Sequence, residues 1–129
     1  MRKEPFLRVL LFALLWVFLR LPVFAQNAEA IVQIYTYELD DDFALVRTKT
    51  GSGILIDSKG LILTNYHVIE GASSLRIKLL TGAMFPVEGL LASAPEQDFA
   101  VLKVSGKELP AVRLGSLKSV KVGQLVFAL

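Results

Sequence analysis

The stretch GSGILIDSKGLILT, residues 51–64, has two short apolar runs on either side of the polar segment DSKG. Short runs of β-branched and aliphatic residues bounded by Gly, Asp and Ser are typical of strands, and two such runs joined by a short polar segment are typical of a β-hairpin. We therefore predict a strand that starts near Gly51, a tight turn over residues 57–60, and a second strand that ends at Thr64.

Similar segments lie on both sides of this hairpin at intervals of about ten residues, which is the spacing of an all-β barrel or sandwich. The segment LDDDFA, residues 39–44, has three aspartates but not the spacing of a calcium loop, so we interpret it as a solvated loop. Pro86 indicates a sheet edge or a bend. The further predicted strands cover residues 30–38, 74–80, 83–93, 98–104 and 123–129.

The first 25 residues have the three-part layout of a secretory signal peptide. A basic opening, MRKEPFLR, precedes the apolar run at residues 9–19, and Val23 and Ala25 form the small-residue pattern of a cleavage site. The apolar run has 11 residues and is too short to span a bilayer. We predict a signal-peptide helix that is cleaved after Ala25, so that the protein is exported to the periplasm or secreted. An uncleaved membrane anchor is the alternative.

Charge and composition exclude several classes of function. Residues 1–25 carry four basic residues and one acidic residue, so the remaining chain has a net charge of −1 although the whole chain is +2. This charge does not provide the clustered basic face of a nucleic-acid-binding protein. The chain has no cysteine and one histidine, which excludes a disulfide scaffold and leaves only carboxylates to complete a zinc site. We predict no cofactor and no metal.

The single histidine, His67, follows the second strand of the hairpin in the segment NYHVIEGA. Asp98 lies 31 residues later, directly before the predicted strand DFAVLKV. A catalytic histidine needs a carboxylate that selects its tautomer and stabilises the imidazolium. Each residue alone is commonplace at such a position, since a lone histidine in a loop is usually ordinary and an aspartate beside a strand is usually a turn residue.

Together these segments identify a family resemblance. GSGILIDSKGLILTNYHVIEGA followed by PEQDFAVLKV resembles the HtrA/Deg group of trypsin-like serine endopeptidases, and the resemblance extends over residues 31–129. It implies two six-stranded antiparallel β-barrels with the active site between them, with His67 as the general base and Asp98 as the orienting acid. The order of histidine before aspartate is that of the chymotrypsin class. The family also implies polypeptide substrates, misfolded exported proteins among them, and a homotrimer as a possible assembly.

The nucleophile that this resemblance requires has no candidate in the sequence. The family's serine lies in a Gly-Asn-Ser-Gly-Gly type of loop in the second barrel, and no such motif occurs here. Ser52 precedes His67 within a strand and is interpreted as structural, while Gly51 and Gly53 are expected to serve packing or a bend. The other serines fall in turns, strand ends or linkers: Ser58, Ser73, Ser74, Ser93, Ser105, Ser116 and Ser119.

We therefore expect a signal peptide at residues 1–25, a first β-barrel at 26–108, and an inter-barrel linker with the first strand of a second barrel at 109–129. The leading interpretation is the His/Asp half of an exported serine endopeptidase that is inactive alone. The second is a non-catalytic barrel that binds peptides or partner proteins. The third is an unrelated β module in which His67 and Asp98 coincide by chance.

Overall fold

The computed structural model describes residues 28–126. The predicted signal peptide and the last three residues of the predicted final strand lie outside this part of the chain. The described residues form six strands, one helical turn (α1, Tyr66–Ile69) and two 3-10 turns (Pro95–Gln97 and Leu117–Ser119). The strands are β1 Ile31–Leu39, β2 Leu45–Asp57, β3 Leu61–Thr64, β4 Ser74–Lys78, β5 Met84–Ala94 and β6 Phe99–Val104.

The six strands close into an antiparallel barrel in the order β1-β2-β3-β6-β5-β4, with β4 returning to β1. This confirms the predicted all-β fold class with its six-stranded barrel. Closure means that none of the six strands is left as a sheet edge, so every strand has a partner on both sides. Pro86 lies where β5 changes neighbours, because β5 pairs with β4 up to Pro86 and with β6 from Val87 onward.

The barrel interior is filled by alternate residues of each strand, as the period of two in a pleated strand requires. Ala100, Leu102 and Val104 of β6 are buried, while the residues between them are half-buried. The segment after β6 also contributes, since Leu109 is buried and Val112 packs against the core. The fully buried large side chains are Val32, Ile34, Thr36, Leu55, Ile62, Ile77, Leu102 and Val104.

Two strands differ from the prediction. β2 begins at Leu45 rather than near Gly51, because its first half pairs with the end of β1 in a register that joins Leu39 to Leu45. Ser52 therefore lies in the middle of β2. Residues 123–126, the described part of the predicted last strand, form no strand: Gly123 has a φ of +85° in a turn where the Gln124 N–H donates to the Lys121 carbonyl. A strand needs a neighbour for its backbone groups, and no described strand lies beside these residues.

Candidate active site

Strand pairing brings the two predicted site residues together. β3 and β6 are antiparallel neighbours with Thr64 opposite Ala100, so the end of β3 lies beside the start of β6. His67 is three residues beyond Thr64, and Asp98 is two residues before Ala100. The two residues are 31 positions apart in the chain, and β4 and β5 lie between them in sequence but not in space.

The helical turn α1 carries His67 and is anchored to the barrel by its next residue, Val68. The buried Thr36 hydroxyl of β1 donates a hydrogen bond of 2.7 Å to the Val68 carbonyl. The Val68 side chain packs against Gly51 so closely that a Cβ at Gly51 would lie 2.5 Å from Val68 Cγ1. The backbone of α1 is therefore fixed, while the His67 side chain remains 68% exposed at the mouth of the barrel.

Asp98 binds His67 through both carboxylate oxygens. His67 Nδ1 lies 2.7 Å from Asp98 Oδ2, and the His67 backbone N–H donates to Asp98 Oδ1 over 2.9 Å. Asp98 has left-handed backbone angles, φ 53° and ψ 45°, which aspartate and asparagine tolerate better than most residues. This conformation follows the 3-10 turn Pro95–Gln97 and presents the carboxylate to α1.

Hydrogen bonding from His67 favours the ionised form of Asp98. The His67 backbone N–H, and next the imidazole, lower the pKa of Asp98 below its ordinary value, and the Asn65 amide adds to this. An anionic carboxylate can only accept a hydrogen bond, so Asp98 Oδ2 requires a proton on Nδ1 and selects the Nδ1–H tautomer of His67. Nε2 then carries a lone pair, and it has no hydrogen-bond partner among residues 28–126. An imidazole held in this way can accept a proton at Nε2.

No serine of the described part is brought to His67. All eight serines of the chain lie within residues 28–126, and none of their hydroxyls hydrogen bonds to the imidazole. Ser52 lines the same open groove as Asp98 and Asn65. Its carbonyl accepts from the Thr64 hydroxyl at 2.8 Å, which ties β2 to β3 beneath the site.

The groove beside Asp98 is largely apolar. Beyond Asn65 and Asp98 it runs over the side chains of Ile54, Leu63 and Phe99. Ile54 and Leu63 are 42% and 38% exposed, although large aliphatic side chains are usually buried. The site thus combines an oriented imidazole with an apolar surface that adjoins Asp98, its carboxylate partner.

Sequence reasoning missed two residues that hold the site. Asn65 is at the N-cap of α1, where asparagine is expected simply to cap the helix. Thr36 lies within a strand, and nothing in the neighbouring sequence indicates that its hydroxyl binds the Val68 carbonyl. Gly51 was expected to serve packing or a bend, and in the structure it leaves the space that the Val68 side chain fills.

The described part of the chain has two further negative features. Residues 28–126 contain no group of three or more His, Asp or Glu side chains placed to hold a metal ion. Within the same residues, no helix has the length and apolar character needed to cross a bilayer.

Comparison with known proteins identifies the family. Residues 51–129 match the family model of the trypsin-like peptidase domain. A probable periplasmic serine endoprotease, DegP-like, from Pseudomonas savastanoi pv. phaseolicola is 40% identical over 79 residues, which cover 61% of this chain and 16% of that protein. A protein of the same description from Halomonas elongata is 41% identical over 83 residues, or 64% of this chain and 17% of that protein.

A solved structure agrees with these relatives. The serine endoprotease from Yersinia pestis superimposes with a TM-score of 0.65 at 29% identity, covering 77% of this chain and 34% of that one. The chain spans about one sixth of the length of the relatives and about one third of the solved chain. The predicted resemblance to HtrA/Deg endopeptidases is confirmed, and the unrelated β module is excluded. The chain belongs to the trypsin-like peptidase family.

Proposed function

We propose that this chain provides the base and the orienting acid of a serine endopeptidase, with His67 as the general base and Asp98 as the group that orients it. The observation that carries the proposal is the 2.7 Å contact between His67 Nδ1 and Asp98 Oδ2 at the mouth of a trypsin-like barrel. Such a contact directs the Nε2 lone pair outward, toward a nucleophile supplied from elsewhere.

In the proposed reaction, a serine hydroxyl on a second barrel attacks the peptide carbonyl and gives its proton to His67 Nε2. Asp98 stabilises the resulting imidazolium but does not itself take the proton. The imidazolium then donates the proton to the leaving amine as the C–N bond breaks, and water hydrolyses the acyl-enzyme with His67 again as the base. The donors for the oxyanion come from the second barrel as well.

We propose further that the chain is organised as a signal peptide at residues 1–25, a first barrel at 26–108, and a connection to the second barrel at 109–129. The names of its relatives support a periplasmic location, because both are described as periplasmic endoproteases. Exported polypeptides, unfolded ones among them, are the proposed substrates, and a homotrimer is the proposed assembly. Amino-terminal sequencing of the exported protein should begin at or near Gln26; an intact Met1 in that fraction would contradict the cleaved signal.

The test is a peptide or casein assay on the full chain and on a fusion that adds a second barrel with the serine loop. The chain alone should hydrolyse nothing, because none of its serine hydroxyls contacts His67. The fusion should be active, and His67→Ala should lower its kcat by a factor on the order of 10⁴–10⁶. Activity of the chain alone that His67→Ala removes would place the nucleophile within these 129 residues. Activity of the fusion that survives His67→Ala would refute the role of His67.

A second candidate function is supported by the groove. Its exposed apolar side chains lie beside Asp98, and no serine hydroxyl of residues 28–126 hydrogen bonds to His67; both features suit a barrel that binds peptides or partner proteins without cleaving them. A correctly folded fusion that binds casein but does not cleave it would favour this candidate.

A further inference from the structure

Asn65 occupies the N-cap of α1 but does not cap it. An N-cap asparagine ordinarily accepts a hydrogen bond from one of the first free backbone N–H groups of its helix. In α1 the Asn65 side chain makes no such bond, and the His67 N–H is instead taken by Asp98 Oδ1 at 2.9 Å. Asp98, which directly precedes β6, therefore provides the acceptor that the N-cap side chain normally provides.

The Asn65 amide points to Asp98 instead. Its Nδ2 donates to the Asp98 backbone carbonyl at 3.1 Å and to Asp98 Oδ2 at 3.2 Å. Both partners are acceptors only, so the NH₂ end of the amide must face them, since the carbonyl end would be repelled by both. One side chain thus ties down the backbone and the carboxylate of a residue in the left-handed region.

The same carboxylate oxygen, Oδ2, receives the Asn65 amide and faces His67 Nδ1. The carboxylate is exposed by nearly half, so the surrounding packing alone does not fix its orientation. Three donors from residues 28–126 fix it: the His67 N–H on Oδ1, and the imidazole and Asn65 on Oδ2. Of these, Asn65 is the one donor that does not belong to the histidine itself.

We propose that Asn65 is a positioning residue, whose amide holds the Asp98 carboxylate in the orientation that selects the Nδ1–H tautomer of His67. The effect on the imidazole follows from geometry alone, whereas its consequence for catalysis rests on the proposed function. Among residues 28–126, no other charged side chain forms an ion pair with His67 or Asp98, and the nearby Glu70 and Glu96 are exposed.

The experiment measures the tautomer of His67 by ¹⁵N NMR at a pH where the imidazole is neutral. His67 is the only histidine, so the full chain, labelled and carrying no histidine tag, gives one pair of ring-nitrogen shifts. A histidine without a hydrogen-bond partner favours the Nε2–H tautomer in water. If the Asp98 carboxylate loses its orientation, the population of His67 should therefore shift from Nδ1–H toward Nε2–H. Asn65→Ala and Asn65→Ser remove the amide, and Ser keeps the ability to cap a helix but is too short to reach Asp98.

We expect both variants to lower the ratio of Nδ1–H to Nε2–H by roughly tenfold, the effect of one net hydrogen bond to a charged group. Asp98→Asn is the reference for an imidazole that has lost its carboxylate. Gln97→Ala is the matched control: Gln97 is an exposed amide next to Asp98 that does not hydrogen bond to the carboxylate, and its loss should leave the ratio unchanged. Backbone amide spectra verify that each variant is folded.

A tautomer ratio that stays at the wild-type value in Asn65→Ser would overturn the proposal. If Asn65→Ala lowers the ratio while Asn65→Ser keeps it at the wild-type value, the effect of Asn65 is due to helix capping. Should Asn65→Ala fail to fold, the Ser variant decides. In the active fusion, loss of Asn65 should lower kcat and leave KM unchanged, since Asn65 is proposed to act through Asp98. If the Asn65 variants shift the tautomer ratio but the fusion with wild-type His67 and Asp98 is inactive, only the proposed function is contradicted. If the fusion is active but the Asn65 variants leave the tautomer ratio unchanged, only the positioning role of Asn65 is contradicted.

Discussion

At the scale of single residues, the site depends on a carboxylate and a glycine with opposite requirements. The Asp98 carboxylate must be charged and correctly oriented, because one oxygen binds the backbone N–H of His67 and the other binds its imidazole ring. Gly51 must have no side chain at all, because Val68 fills the space where its Cβ would be. One residue acts through its chemistry and the other through its size.

The lowered pKa of Asp98 predicts how stability depends on pH. A carboxylate whose pKa is lower in the folded than in the unfolded chain stabilises the fold at pH values above its ordinary pKa of 3.8. This stabilisation is lost as the pH falls through the lower pKa of the folded chain. Urea unfolding should therefore show wild type more stable than Asp98→Asn at pH 5, with the difference shrinking as the pH falls below 3.8. A difference that is constant from pH 5 to pH 2 would contradict this linkage.

Gly51→Ala should destabilise the barrel and displace α1. The added Cβ would lie 2.5 Å from Val68 Cγ1 and 2.6 Å from Cγ2, so Val68 and the backbone of α1 must move. Overpacking of this kind costs about 1–3 kcal/mol in the free energy of unfolding. Gly89→Ala in β5 is the control, because a Cβ there meets no atom within 4 Å and should change stability by less than about 0.5 kcal/mol. Equal effects from the two substitutions would refute the steric argument.

At the scale of elements, α1 is too short to be stable alone. A helix of four residues has almost no internal hydrogen bonding, so its conformation comes from contacts with the barrel. The Thr36 hydroxyl holds the Val68 carbonyl from β1, and Lys49 Nζ of β2 donates to the Glu70 carbonyl at 2.7 Å. Asp98 holds the other end through the His67 N–H. Two strands and the residue that directly precedes β6 thus fix one helical turn.

Thr36→Val should weaken this anchoring with little change in volume. The substitution removes the buried donor of the Val68 carbonyl, and a buried polar group that loses its partner costs about 1–3 kcal/mol. Chemical denaturation of the full chain measures the loss. Thr48→Val is the matched control, since the Thr48 hydroxyl bonds to Glu38 on the exposed part of β2 and its loss should cost less than about 0.5 kcal/mol. Similar costs for Thr36 and Thr48 would show that burial of the bond is unimportant.

At the scale of the whole molecule, the barrel is completed by residues outside its strands. After β6 the chain returns along the β2–β3 hairpin, where the Leu109 N–H donates to the Ser58 carbonyl at 3.0 Å and the Val112 N–H to the Leu55 carbonyl at 2.9 Å. Leu109 is 8% exposed and belongs to the core. The first residues of the segment expected to be a linker are therefore packed on the barrel.

Leu109→Ala should consequently destabilise the whole barrel. Truncation of a buried leucine costs about 2–5 kcal/mol, since contacts are lost and a cavity remains. Leu114→Ala is the matched control, because Leu114 is in the same segment but 67% exposed and should be nearly neutral. Thermal or urea unfolding followed by circular dichroism distinguishes the two. A neutral Leu109→Ala would mean that the segment contributes nothing to the fold.

Several features of this protein were determined by local sequence. Short apolar runs bounded by turn residues predicted the strands, and residues 57–60 predicted the tight turn, because strand propensity and turn chemistry depend on neighbouring residues. The resemblance of the segments around His67 and Asp98 predicted the family and the two candidate residues. The start of β2 was missed because residues 45–50 become a strand only through pairing with β1.

The site itself was decided by tertiary structure. His67 and Asp98 meet because β3 pairs with β6, and the register Thr64 to Ala100 sets the separation of the two strand ends. Asn65, Thr36 and Gly51 act on residues that are 33, 32 and 17 positions away in the chain, at distances that no local pattern encodes. Local propensity and side-chain alternation specify strands one at a time, whereas closure of the barrel specifies which strand ends become neighbours, and the contacts around the imidazole exist only after that closure.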